Sequence, residues 1–162
     1  MKTWLQKLEG AEFKILRLQE TATDRVTTDT PERIAAYVRP LMENSTRYNQ
    51  DCECFGVVLL STRRKPIGME IISNGTLDTL LVHPREVFRP AIIMPCSAIV
   101  LFHNHPSGDY SPSDADIKVT RNLIQAGQLL RIDVLDHIIL GTMADGRTRN
   151  YCSLRELGYF TN

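Results

Sequence analysis

The segment His103-Asn104-His105-Pro106-Ser107-Gly108-Asp109-Tyr110-Ser111-Pro112-Ser113-Asp114-Ala115-Asp116 gathers two imidazoles and several carboxylates between an apolar run, Ala98 to Phe102, and a helix-like stretch. Side chains alternate with period two along a strand, so imidazoles separated by one residue point to the same face. A carboxylate, Asp116, then arrives from the first turn of the following helix. Two His and one carboxylate leave a tetrahedral zinc ion with one open position, the arrangement by which catalytic zinc sites hold water. A second account needs no metal: Ser113 to Asp116 is also an N-cap followed by an acidic N3 residue. The two are compatible, since a cap fixes where the carboxylate points. Only ligation gives the His-x-His pair a role.

The elements that must position these groups can be read around them. At 162 residues the chain is one domain with a short N-terminal extension, and it needs neither disulfide nor metal simply to fold. Residues 1–29 are expected to form an arm and 30–162 the domain; Ala11 to Leu18 is a strand or an irregular part of that arm. Thr28-Asp29-Thr30-Pro31 caps a helix that turns Ile34, Val38 and Leu41 to one face. Cys54 to Leu60 is a buried strand, Arg63-Arg64-Lys65-Pro66 a turn, and Ile67 to Ser73 its hairpin partner, closed by a turn at Asn74-Gly75. Pro84 to Met94 is helical, with Pro90 expected to kink or interrupt it. Ala98 to His103 is a central strand. Ser113 to Leu130 is the clearest helix, with Ile117, Thr120, Ile124 and Ala126 available for packing. Ile132 to Leu140 is a further strand, and Leu154 to Gly158 a closing turn. Strands alternating with helices around an apolar sheet give an α/β sandwich.

Composition limits the function classes. Nineteen acidic and nineteen basic side chains give no net charge, which argues against broad electrostatic capture of nucleic acid. Cys52, Cys54, Cys96 and Cys152 form no C-x-x-C pair, as expected of free thiols in a reducing compartment. No leader-like apolar stretch or membrane span is visible, so a soluble cytoplasmic protein is expected.

From His103 onward the sequence resembles the RadC-like branch of the JAB/MPN family, whose metalloprotease members carry the JAMM motif: an upstream Glu, then His-x-His-Pro, then Ser-x-x-Asp. His103-Asn104-His105-Pro106 and Ser113-Asp114-Ala115-Asp116 match the last two parts, and Ser107-Gly108-Asp109 with Pro112-Ser113 is what the RadC-like branch shows between them. Gly75-Thr76-Leu77-Asp78, His83-Pro84-Arg85-Glu86, Val134-Leu135-Asp136-His137-Ile138-Ile139 and Ser153-Leu154-Arg155-Glu156 extend the likeness from about Thr30 to the C-terminus. The resemblance implies the JAB/MPN α/β sandwich, a mixed β-sheet flanked by helices and related to the cytidine deaminase architecture. It also implies that Glu53, in Glu53-Cys54-Phe55, is the upstream Glu. Glu70 on the next strand is the second choice, and Glu86 suits a helix N-terminus. Full-length RadC proteins resemble a helix–hairpin–helix DNA-binding module joined to such a domain. Met1 to Tyr48 shows no paired Gly-x-Gly hairpin, only Gly10, so the DNA-repair association transfers poorly.

The implied chemistry is amide hydrolysis of a peptide or isopeptide bond in a protein substrate. His103, His105 and Asp116 would hold Zn2+, Glu53 would serve as general base, and Ser113 would donate to the oxyanion. Asp109, in a Ser-Gly-Asp turn, and Asp114 are expected to be structural. Asp136 and His137 alternate within a strand and so should face opposite ways, leaving His137 in the core or behind a ligand. His83 is a turn residue before Pro84. Two other classes stay open: a nucleic-acid repair accessory, suggested by the family label, and a non-catalytic MPN scaffold.

Overall fold

Cys54 to Leu60 carries no polar side chain, so a strand there has no face to give to water and must lie inside a covered sheet. The computed structural model, which describes residues 29–75, 82–94, 96–143 and 146–160, places it so. Five strands, β1 (Glu53–Leu60), β2 (Pro66–Gly75), β3 (Ala98–Asn104), β4 (Asp133–Leu140) and β5 (Tyr151–Ser153), form one sheet in the order β2-β1-β3-β4-β5. β1 is antiparallel to both neighbours, β3 and β4 are parallel, and β5 is antiparallel to β4. The mixed sheet has helices on both faces, as the resemblance implied.

Period-two alternation sorts the strand residues between two cores. Helix α1 (Pro31–Glu43) covers the face bearing Cys54, Val58, Val100, Phe102 and Ile138. Helices α2 (Pro84–Ile93) and α3 (Asp114–Leu130) cover the face bearing Phe55, Val57, Leu59, Ile99 and Leu101. Parallel strands need a crossover, and α3 supplies it between β3 and β4. Its N-terminus therefore meets the C-terminal end of β3, where α/β sheets commonly bind ligands.

Thr30 caps α1 through its hydroxyl, which accepts from the Arg33 N–H at 3.3 Å, with Pro31 in the first turn. The buried stripe of α1 is Ile34, Ala35, Val38 and Met42; Leu41 packs at its edge rather than in it. α2 is not interrupted at Pro90, which is buried along with Val87, Phe88 and Ala91 of the same helix. The expected turn at Asn74-Gly75 is absent, because β2 continues through both residues opposite Cys54 and Glu53. β5 was not anticipated: three residues are too few to show a period.

The largest correction concerns α3. Its buried stripe is Asp116, Val119, Thr120, Leu123 and Gly127, with Ile117 and Ile124 only half-buried. The spacing is helical, but the phase is set by a carboxylate facing the sheet, which a search for apolar periodicity passes over. Gly127 permits the close approach, since a Cβ there would stand 2.5 Å from the Ile132 carbonyl oxygen. The helix ends at Arg131 in the left-handed region, φ 58.

All four cysteines are free. Burial raises the Cys54 thiol to about 11, and it does the same to Cys152, helped there by the Asp136 charge. The thiolate is the reactive species, so alkylation of both at about pH 8 should be about a hundredfold slower in the native chain than in the unfolded one. Mass mapping of labelled peptides checks this. Gly56 tests the sheet itself: a Cβ there would lie 2.3 Å from Cζ of Phe102 and 2.6 Å from the Glu70 carbonyl oxygen. Gly56→Ala is expected to cost about 1–3 kcal/mol, read as a lowered Tm. Gly68→Ala, where the nearest atom is 3.5 Å away, should shift Tm far less.

Candidate metal centre

β3 is buried along its whole length, so His103 near its end has no solvent on either side. Its ring lies on the α2/α3 face, stacked against Phe55 with centroids 6.3 Å apart and planes 17° apart. His105 lies just past the strand, but its N–H still donates to Leu140 at 3.1 Å, continuing the ladder. The two imidazoles therefore fall on one face as the alternation requires, with Nε2 to Nε2 at 2.9 Å. Asp116 meets them from the first turn of α3: Oδ1 stands 3.3 Å from Nε2 of His103 and Oδ2 3.7 Å from Nε2 of His105.

The loop between is held by its own polar groups. Oδ1 of Asp109 accepts from the N–H and hydroxyl of Ser111, the local structural role expected of it. Gly108 adopts φ +76, and its carbonyl accepts from the Thr142 N–H and from Arg147. At the helix entry Ser113 and Asp116 form a full capping box. The Ser113 hydroxyl accepts from the Asp116 N–H at 3.2 Å, while Oδ2 of Asp116 accepts from the Ser113 N–H at 2.7 Å. The same hydroxyl donates to Oδ2 at 2.6 Å. Capping and the metal cluster thus use one carboxylate, and Asp114 is an exposed first-turn residue outside the cluster.

The proton on each imidazole can be placed, because backbone carbonyls only accept. Nδ1 of His105 lies 2.8 Å from the Asp109 carbonyl oxygen and must carry a proton. In the neutral ring Nε2 is then a bare lone pair. Burial drives the proton affinity of His103 far below that of an ordinary imidazole, an effect the nearby His137 reinforces. His137, also buried, is pushed down to about 4. Both rings are neutral at neutral pH. Burial alone would raise the Asp116 carboxyl, but the adjoining His105 ring and the Ser113 bonds outweigh it and hold the group well below the usual carboxylate range. His105 is raised, chiefly by Asp116, with Glu53 also contributing.

This donor set fits a metal ion. Ligands about 2.0–2.1 Å from a tetrahedral zinc ion stand about 3.3 Å apart, in the range seen among the three residues. Two imidazole lone pairs facing each other at 2.9 Å beside an ionised carboxylate repel unless a proton or cation lies between them. His103, His105 and Asp116 are the one such cluster among the described residues. Its open side faces outward past His105, whose side chain is 14% exposed, because His103 is sealed.

Glu53 opens β1. The antiparallel register sets Phe55 opposite His103, which carries Glu53 toward His105. Asn104, which the sequence reading did not single out, fastens that end: its Oδ1 accepts from the Cys54 N–H at 2.8 Å and its Nδ2 donates to the Cys52 carbonyl at 3.3 Å. The side chain between the two metal-facing imidazoles therefore grips the backbone on both sides of Glu53. Glu70 lies mid-strand opposite Val57 and gives its carboxylate to Arg47 at 2.9 Å. Glu86 pairs with Arg89 in the first turn of α2, and His83 is the exposed residue before Pro84. The Asp136 carboxylate does not pair with the His137 ring, as expected; it accepts from the His137 backbone N–H, the Ser153 hydroxyl and the Arg155 N–H.

A family model described as RadC-like JAB domain matches residues 28–159. The chain belongs to the RadC-like JAB domain family. A UPF0758 protein of Caldanaerobacter subterraneus subsp. tengcongensis is 44% identical over 140 residues, 86% of this chain and 55% of the relative. Another, from Desulfitobacterium hafniense, is 48% identical over 134 residues, 83% of this chain and 54% of that protein. A third, from Moorella thermoacetica, is 43% identical over 170 residues, covering 94% of this chain and 71% of the relative. The chain thus spans little more than half the length of the first two. The expected arm falls almost wholly outside the described residues, and the strand or irregular segment expected at Ala11 to Leu18 lies outside them entirely. Among the described residues no helix is long and apolar enough to cross a membrane.

The clamp on β1 gives a direct test. Asn104→Ala leaves the buried Cys54 N–H without its acceptor, which should cost about 1–3 kcal/mol. Denaturant melts of wild type and variant measure it, and an unchanged midpoint would show that the clamp contributes nothing.

Proposed function

We propose that this RadC-like JAB domain is a zinc-dependent metallopeptidase or isopeptidase. The observation that supports it most is the spacing of the His103, His105 and Asp116 ligand atoms, with the His105 lone pair directed into the cluster. His103, His105 and Asp116 would hold the zinc ion, which would supply a water with its pKa lowered toward about 7 and polarisation of an amide carbonyl. Glu53, at the outward edge beside His105, takes a proton from the attacking water and returns it to the leaving amine. Ser113 donates to the developing oxyanion, a task that requires its hydroxyl to turn away from Oδ2 of Asp116. A peptide or protein substrate approaches from the side of His105, since Phe55 and the sheet close the other.

The test is a screen of peptide and isopeptide substrates with and without added zinc. His103→Ala and Asp116→Ala should lose the metal by elemental analysis and lose turnover with it. Glu53→Gln should keep the metal while turnover falls by about a hundredfold or more. Equal turnover by wild type and Glu53→Gln removes Glu53 as the base, and wild type that takes up no zinc removes the metallopeptidase reading. The family label supports a nucleic-acid repair accessory as the other reading. DNA affinity that falls steeply with salt, independent of zinc, would favour it.

A further inference from the structure

Behind the cluster lies a chain of hydrogen bonds that no ligand assignment uses. The Thr120 hydroxyl, fully buried one turn beyond Asp116, lies 2.6 Å from the Asp116 carbonyl oxygen and 2.6 Å from Nδ1 of His137. Nε2 of His137 lies 2.8 Å from Nδ1 of His103. A carbonyl only accepts, so the hydroxyl hydrogen goes to Asp116 and the hydroxyl oxygen accepts from His137. His137 is then protonated on Nδ1 and presents a lone pair on Nε2. That lone pair accepts from Nδ1–H of His103, which leaves the lone pair of His103 on Nε2, the atom 3.3 Å from Asp116 and 2.9 Å from His105.

We infer that Thr120 and His137 are positioning residues that lock His103 in the tautomer able to bind a metal, with the Asp116 backbone carbonyl fixing the direction of the whole relay. The inference deepens the metal reading and rests on it for its purpose, but the tautomer itself exists without metal. A purely packing role for His137 predicts no direction for these protons. The relay predicts one: reversing it would put a proton on Nε2 of His103 and block the cluster from inside. Ligand-orienting partners of this kind typically alter metal affinity ten- to a hundredfold.

The experiment has two arms. In the first, long-range ¹⁵N–¹H spectra of the metal-free protein near neutral pH report which ring nitrogens carry protons. Wild type should show His103 and His137 both protonated on Nδ1 alone. Thr120→Val, which keeps the shape and removes the acceptor, should release that order, and Thr120→Ser should restore it. In the second arm, chelator competition measures zinc affinity. Thr120→Val and His137→Leu should bind about ten- to a hundredfold more weakly than wild type. Thr120→Ser should bind as wild type does, as should His137→Gln, whose amide oxygen can accept from His103. Circular dichroism and Tm show whether each variant is folded, and Thr120→Val against Thr120→Ser carries the comparison if His137→Leu is not. A proton on Nε2 of His103 in wild type, or a folded Thr120→Val with unchanged tautomers and zinc affinity, overturns the relay. Failure of wild type to bind zinc would instead overturn the metal reading, and the first arm would still decide the relay.

Discussion

Asp116 places an ionised carboxylate where only 4% of the residue meets solvent, against the ring of a fully buried histidine. Moving a charge out of water costs several kcal/mol unless other groups replace the lost hydration. Much of the local structure answers that demand. The Ser113 N–H and hydroxyl both bond Oδ2, and the positive end of α3 lies beneath it. The demand also fixes how α3 rolls on the sheet. Turning Asp116 inward brings Val119, Thr120, Leu123 and Gly127 in with it, and Ile117 and Ile124 are left partly outside. An apolar helix face here follows a polar residue rather than the reverse.

The same residue acts a second time through its backbone. Two carbonyl oxygens, of Asp109 and Asp116, bracket the segment that supplies the carboxylate, and each fixes a proton on an imidazole chain. Because neither can donate, neither leaves the tautomer to chance. Ligand, cap and proton direction therefore come from a stretch of eight residues, Asp109 to Asp116. The sheet adds position: β3 carries His103 and His105, and Asn104 between them, on the opposite face, holds the start of β1.

This division explains what could be read from the sequence. His103, His105 and Asp116 were legible because chemistry at a strand end and a helix start leaves a short, dense pattern of ligating side chains. Cys54 to Leu60 and Ala98 to His103 were legible because each contains an apolar run, Cys54 to Leu60 and Ala98 to Phe102, as a strand covered on both faces requires. The phase of α3 was not, since apolar periodicity cannot register a buried Asp that is favourable only beside its partners. Asn104 and Thr120 were missed for a related reason: an amide or hydroxyl reveals its role through the backbone atom it meets, and Asn104 meets one 50 residues away. Thr120 at four residues past Asp116 was recognised as facing the core, but not as bonded there. Pro90 does not interrupt α2, which carries it on its buried side.

The asymmetry of the cluster carries the last step. One imidazole, His103, is fully buried against the rings of Phe55 and His137. The other stands at the rim, its ring fixed by a loop carbonyl rather than by the core. A cation held by both would have its three protein ligands drawn from inside and one flank, so any further ligand must come from the remaining, outward direction. Glu53 lies on that side, at the end of a strand whose first residues are gripped by Asn104. A buried inner ligand and a partly exposed outer one would leave a cation there open on its solvent side, the arrangement that the proposed water activation requires.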